Sequence, residues 1–284
     1  MEAAAISASN IVKSFGSKRV LDGISFTVRR GQIFGLLGPS GAGKTTLIKI
    51  LTGQLDRNAG TAEINGLDAD KLTGEDNKKF GIMMDNFGIY ERLNCYENLK
   101  IFAEIYGVKK DGILNALKKV GLENAKKTSA AKLSKGMRSR LRLARVFMID
   151  PDILFLDEPT SGLDPATADE IHKIMLAEKG KGKTIFLTTH TMSEAEKLCN
   201  DIVMINEGKI VEHGSPQEIC RRYNHQRMLK IHLSDGSDIQ FPHNENASDK
   251  VAELIKNGRA ETIHTTEPNL ETVFMELTGK ELAV

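Results

Sequence analysis

The residues best equipped for chemistry in this chain of 284 residues fall in two stretches. Gly38-Pro39-Ser40-Gly41-Ala42-Gly43-Lys44-Thr45 fits the pattern GxxxxGK[ST], in which backbone N–H groups and a lysine surround a phosphate. The glycines omit the Cβ atoms that would hold an anion away from the backbone. Lys44 carries charge for a β/γ-phosphate, the hydroxyl of Thr45 is a hard ligand for Mg2+, and Thr46 leads the loop into a helix whose positive end faces the anion. The second stretch, Ile153-Leu154-Phe155-Leu156-Asp157-Glu158, delivers two carboxylates after four apolar residues. Asp157 suits Mg2+, and Glu158 suits orienting or deprotonating a water. Thr188-Thr189-His190 ends another apolar run, and taken alone its imidazole reads as structural.

Each group needs an element behind it. Gln32-Ile33-Phe34-Gly35-Leu36-Leu37 is continuously apolar ahead of the phosphate loop and predicts a buried parallel strand. Residues 152–156 and 184–187 read the same way, while Ile24–Val28 alternates like a half-buried strand. Such strands place ligands at their C-terminal ends. Ile171, Ile174 and Met175 mark one helix face, and Ser134 stands as N-cap to a stripe through Met137, Leu141, Ala144 and Met148. Ser193-Glu194-Ala195-Glu196 predicts a capping box opening a helix that buries Ala195, Leu198 and Cys199. Residues 202–211 read as a hairpin turning at Asn206-Glu207-Gly208-Lys209. The alternation of strands and helices up to about residue 222 predicts an α/β fold. Beyond it, Leu229, Ile231 and Leu233, a turn at 234–237, Ile239 and Phe241, a helix with Val251, Leu254 and Ile255, and a last helix with Leu270, Val273, Phe274 and Leu277 predict a small α+β appendage over 225–284.

Composition narrows the function classes. Lys+Arg 39 against Asp+Glu 38 gives a net charge of +1, with no Trp and 5% aromatic residues, so neither a basic nucleic-acid surface nor a stacking platform is expected. Arg138, Arg140, Arg142 and Arg145 are expected on a solvated helix face or in intramolecular pairs. The histidines other than His190 show no metal spacing, and Cys95, Cys199 and Cys220 form no CxxC pair, which fits a reduced, cytosolic setting. The longest apolar runs fall far short of the ~20 residues of a membrane span, and the start, MEAAAISASN, does not read as a signal peptide.

Leu133-Ser134-Lys135-Gly136-Met137, then Asp157-Glu158, Ser161-Gly162-Leu163-Asp164 and His190 follow the phosphate loop in a set order. Over residues 5–220 the chain resembles the ATPase subunit of ABC transporters, with Leu133–Met137 similar to the signature LSGGQ, Ser161–Asp164 to the D-loop and His190 to the switch histidine. The resemblance implies a P-loop ABC ATPase domain over 1–222 with a mixed-sheet core and a helical subdomain at about 86–150. It implies ATP and Mg2+ as ligands, with Phe15 and Val20 at the adenine and Gly38 through Thr46 on the phosphates. It also implies a second copy of the chain, whose Ser134, Gly136 and Asp164 meet the nucleotide from the opposite side, and a separate membrane-spanning permease. The chain would then lie in the cytoplasm on the inner face of the membrane.

Asp85 stands where the family carries glutamine, which makes it a candidate ligand and sensor of Mg2+. Lys135 and Met137 replace glycine and glutamine of the signature; Lys135 either favours a bound triphosphate or faces solvent. The tail Glu267-Pro268-Asn269-Leu270-Glu271-Thr272-Val273-Phe274 is similar to that of daunorubicin-resistance-type exporters, a branch that includes bacitracin and lantibiotic self-protection systems. That appendage either clamps subunits, touches the membrane partner or covers a sheet edge. Asn86–Leu93 resembles the surface that receives a helix from the permease, and ordinary packing between subdomains is the other reading. A soluble ABC-type ATPase, an importer ATPase and a weakly hydrolysing regulatory ATP binder stand as alternatives to the exporter.

Overall fold

The computed structural model describes residues 4–84, 88–224, 228–242, 247–266 and 268–279. It divides into two compact units between Gly214 and Ser215. The composition change near residue 222 falls later because Ser215 and Glu218 form a capping box that starts helix α7 (Pro216–Arg222), which packs on the last helix of the second unit.

In the first unit, β1 (Ala4–Phe15), β2 (Lys18–Arg29), β4 (Ala59–Ile64) and β5 (Leu67–Asp68) form an antiparallel sheet in the order β2-β1-β4-β5. The second sheet contains β3 (Ile33–Leu37), β6 (Phe80–Met83), β7 (Ile153–Asp157), β8 (Thr184–Thr189), β9 (Asp201–Asn206) and β10 (Lys209–Gly214), in the order β10-β9-β3-β8-β7-β6. All its pairings are parallel except that of β9 with β10, whose turn holds Glu207 and Gly208 at φ 49° and 78°, as a tight hairpin requires. Every residue of β3, β7 and β8 is buried, the pattern of strands covered on both faces. Phe34, Phe186 and Phe155 sit side by side across β3, β8 and β7, with ring centroids 5.5 and 5.6 Å apart. Phe26 of β2 stacks on Phe34 at 5.2 Å, so the two sheets share one core.

Helix α1 (Lys44–Leu51) follows β3. The helical subdomain is α2 (Cys95–Tyr106), α3 (Lys110–Lys119) and α4 (Lys135–Phe147), packed on one another. Ser134 caps α4, accepting from the N–H of Met137 at 3.2 Å. The arginines of α4 pair within the molecule: Arg138 with Glu91 at 2.9 Å, Arg140 with Glu170 at 3.3 Å, and Arg145 over the ring of Phe102 at 4.7 Å. Helices α5 (Pro165–Gly180) and α6 (Met192–Leu198) flank β8 in sequence. The expected capping box at Ser193 does not form. Helix α6 starts earlier, after Thr191, which makes no side-chain cap, so Ser193 and Glu196 fall inside the helix rather than at the N-cap and N3 positions of a box. Cys199 is buried as expected, and burial pushes its thiol well above the usual range.

In the second unit, β11 (Met228–Leu233), β12 (Asp238–Pro242) and β13 (Ala260–Thr266) form an antiparallel sheet in the order β12-β11-β13. Leu229, Ile231 and Leu233 are buried on one face, as their alternation implies. Helix α8 (Ala247–Lys256) meets the sheet through β13 and buries a narrower stripe than expected, leaving Ile255 56% exposed. Helix α9 (Leu270–Thr278) buries Leu270, Val273 and Phe274, is capped by Asn269 and stops at Gly279.

Candidate active site

The C-terminal ends of β3, β7 and β8 converge on a cleft of about 480 Å³. After β3 the chain passes close to its neighbours. A Cβ on Gly38 would lie 2.3 Å from the carbonyl oxygen of Ile205, and one on Gly43, at φ 108°, would lie 2.6 Å from Leu21 Cδ2. Only glycine allows the loop to turn there. Gly43 is also the N-cap of α1 and offers no side chain, and the first turn holds no acid, so its N–H groups carry no side-chain cap. Ser40, Gly41, Gly43, Lys44, Thr45 and Thr46 line the cleft together with Val20.

Lys44 is 7% exposed, and its Nζ donates to the carbonyls of Gly38 at 2.6 Å and Pro39 at 3.3 Å and pairs with Glu158 Oε1 at 3.1 Å. Asp157 is 3% exposed at the end of β7. Its Oδ2 accepts from Thr45 Oγ1 at 2.8 Å and its Oδ1 from Thr188 Oγ1 at 2.5 Å. Thr188 faces both carboxylate residues, because its Oγ1 also accepts from the backbone N–H of Glu158 at 3.1 Å. Glu158 Oε2 lies 2.6 Å from His190 Nδ1. Its backbone is at φ 50°, in the left-handed region, which costs a non-glycine residue about 1–3 kcal/mol and persists only where surrounding contacts fix it.

The sequence-predicted residues divide clearly. Val20, Ser40, Gly41, Gly43, Lys44, Thr45, Thr46, Asp157, Glu158 and His190 line one cleft. Gly38 and Pro39 bind Lys44 through their carbonyls, and the buried Ala42 closes the loop by donating its N–H to Pro39 at 3.2 Å. Phe15 stands 50% exposed at the end of β1 with Lys13 Nζ 5.1 Å from its ring centroid, outside the cleft lining. Ser134, Gly136 and Asp164 are also outside it. Asp164 caps α5 through Thr167, whose hydroxyl and N–H hold the carboxyl below its usual range. Asp85 lies outside the described residues; Met84 before it lines the cleft. Thr188 went unassigned in the sequence, where its only signal is a hydroxyl directly after the apolar run Ile185-Phe186-Leu187.

The hydroxyl of Thr45 and the carboxylate of Asp157 are adjacent hard oxygens, the donor set that Mg2+ takes when substrate phosphates and water complete its shell. Among the described residues no group of three or more His, Cys, Asp or Glu could hold a metal unaided. No described helix is long and apolar enough to cross a membrane.

The family pattern described as ABC transporter matches residues 21–161. A fluoroquinolones export ATP-binding protein of Mycobacterium tuberculosis is 39% identical over 266 residues, covering 92% of this chain and 88% of that one. The linearmycin resistance ATP-binding protein LnrL of Bacillus subtilis is 30% identical, covering 98% and 99% of the two chains. Among solved structures, an ATP binding subunit of an ABC transporter is 28% identical with a TM-score of 0.69, over 77% of this chain and 93% of that one. The matched family pattern spans the phosphate loop and the Asp157-Glu158 pair, and the two relatives match over 92% and 98% of this chain. This chain belongs to the ATP-binding proteins of ABC transporters, and it is an ATPase.

Proposed function

We propose that this chain is the ATP-hydrolysing subunit of a membrane exporter of drugs, antibiotics or peptides, and that two copies close on ATP to drive it. The observation that carries the ATPase chemistry is the meeting of Lys44, Glu158 and His190 through the two oxygens of one carboxylate. Lys44 gives its ammonium to the β/γ-phosphates and exchanges Glu158 for them as its partner. The N–H groups of the loop and of α1 hold the same phosphates. Thr45 and Asp157 would hold Mg2+, which would supply charge neutralisation for the phosphates. Glu158, released from Lys44 and still tied to His190, orients the attacking water and accepts its proton.

Ser134 supports the reading of a paired assembly. Its oxygen is occupied as acceptor by the N–H of Met137, and its O–H proton is left to donate outward at the start of α4. We assign Ser134, Gly136 and Asp164 to the nucleotide of a second copy, Phe15 and Val20 to the adenine, and Asp85 to Mg2+. The export direction rests on the names of the relatives, which include fluoroquinolone and lantibiotic transport proteins. With no membrane-crossing helix among the described residues, the chain would reach the inner face of the membrane through a permease. Vesicles holding the cognate permease test this reading: wild type should drive ATP-dependent cargo movement, and Glu158→Gln should not. Cargo movement that is indifferent to Glu158→Gln would overturn it.

A further inference from the structure

We infer that Ser139, Thr160 and Glu194 are positioning residues for Glu158, acting through the Pro159–Thr160 backbone from the signature helix on one side and the helix after His190 on the other. The inference rests on the reading of Glu158 as the water-orienting group.

Glu158 is held at φ 50°, a conformation its own side chain disfavours, so neighbouring contacts must impose it. Thr188 fixes its N–H, and Ser161 donates to its carbonyl at 3.2 Å. The next two residues are gripped from opposite sides. Ser139 Oγ donates to the carbonyl of Pro159 at 2.8 Å, and Thr160 Oγ1 donates to Glu194 Oε1 at 2.6 Å. His172 Nε2 meets the same Glu194 oxygen at 2.9 Å.

These partners are poor choices for mere packing. Ser139 is 2% exposed on the apolar face of α4, and its hydroxyl reaches out to another segment, although a helical serine ordinarily bonds back to its own turn. Glu194 is 3% exposed, and its second oxygen and His172 Nδ1 are buried without a hydrogen-bond partner among the described residues. A buried carboxylate that leaves such groups unsatisfied is costly, and an apolar residue would fill the space without that cost. What the carboxylate supplies is a directed bond to Thr160. It also explains why Glu194 does not cap its own helix.

The two grips lie on elements that carry functional groups. Ser139 is on α4, which opens at Ser134. Glu194 is on α6, which begins just after His190. A movement of the signature helix therefore reaches the backbone next to Glu158 of the same chain through one hydrogen bond. The same segment stays registered to the His190 side through another.

The test uses the full chain as Ser139→Ala, Thr160→Val, Thr160→Ser and Glu158→Gln, with steady-state ATP hydrolysis in Mg2+, binding of a fluorescent ATP analogue and a thermal midpoint. Ser139→Ala and Thr160→Val should each lower kcat by on the order of ten-fold while the nucleotide Kd stays within about two-fold. Thr160→Ser, which keeps the hydroxyl, should recover most of the loss. The inference is overturned if both folded variants keep wild-type kcat, if kcat and nucleotide affinity fall together, or if Thr160→Ser is as impaired as Thr160→Val. Should Ser139→Ala fail to fold, the Thr160 pair decides alone. Undiminished hydrolysis in Glu158→Gln would instead overturn the assignment of Glu158, so the two failures are distinguishable.

Discussion

Glu158 Oε2 and His190 Nδ1 lie 2.6 Å apart, although Glu158 follows β7 and His190 follows β8. The parallel register that pairs Asp157 with Thr188 brings the two strand ends together, so the contact is set by the sheet rather than by loops. A carboxylate oxygen accepts in such a contact, so His190 donates from Nδ1. With Lys44 on the other oxygen, the carboxylate is held at both ends.

His190→Ala removes one of those ends and keeps the phosphate loop. We expect kcat for ATP hydrolysis to fall by on the order of 10²-fold, with nucleotide affinity changed by no more than about three-fold. A variant that loses affinity and turnover in parallel would show that His190 serves binding rather than the alignment of Glu158.

Glu158→Gln keeps the shape but cannot take a proton. Hydrolysis should drop by about 10²-fold or more while ATP still binds, and light scattering in Mg-ATP should find more of a paired species than in the wild type if two copies close on ATP as proposed. A solely monomeric variant at saturating ATP, with the permease also present, would remove the two-copy mechanism.

Thr188→Val replaces a hydroxyl with a methyl of the same shape where Asp157 and the N–H of Glu158 both use that oxygen. Thr188 and Asp157 are 0% and 3% exposed, so the loss leaves a buried acceptor with less solvation. The expected cost is about 1–3 kcal/mol in chemical unfolding, with a higher Mg2+ requirement for hydrolysis. Thr188→Ser should restore both.

The sequence carried the phosphate loop, its flanking strand and the Asp157-Glu158 pair almost completely, because each is a contiguous run whose chemistry and burial point the same way. The grip of Thr188 on Asp157, and that of Glu194 on Thr160, were invisible for the opposite reason. They join residues 31 and 34 positions apart, and strand register decides which side chains meet. Glu194 shows the conflict directly. It lies between the two ends of the Ser193–Glu196 spacing that suggested a helix cap, and the helix instead starts two residues earlier, with Glu194 buried and bonded to Thr160. Parts of the two antiparallel sheets were equally hard to read, since β4 of the first carries only two buried side chains and β13 of the second reads as polar. His172 looked unremarkable by spacing, and only the fold places it beside Glu194.

Asp169 of α5 gives a pH-dependent prediction. It bonds Lys197 of α6 and Lys173, and these lysines lower its carboxyl to about 2. A carboxyl whose folded value lies below its unfolded value of about 3.9 stabilises the fold fully above that unfolded value. The contribution disappears as pH falls through the folded value. Unfolding by urea should therefore separate wild type from Asp169→Asn at neutral pH, and the gap should narrow as pH drops from about 5 towards 3. A gap that widens on acidification would reverse the assignment of the ion pair as stabilising.

Phe186 is the central ring of the core, 5.5 Å from Phe34, 5.6 Å from Phe155 and 5.8 Å from Phe26, and fully buried. Phe186→Ala would open a cavity against three rings at a cost of about 3–5 kcal/mol, a large share of the 5–15 kcal/mol that typically separates folded from unfolded chains. Phe186→Leu fills more of the space and should cost less, which makes it the better probe. Phe186 lies on the strand that carries Thr188, two residues along and on the same face of alternation. A shift of β8 to fill the gap would therefore move the oxygen that Asp157 and Glu158 share. We expect Phe186→Leu to lower kcat by more than its small unfolded population explains, measured well below its thermal midpoint. Equal kcat per folded molecule would mean that the core supports the strand ends without setting their position.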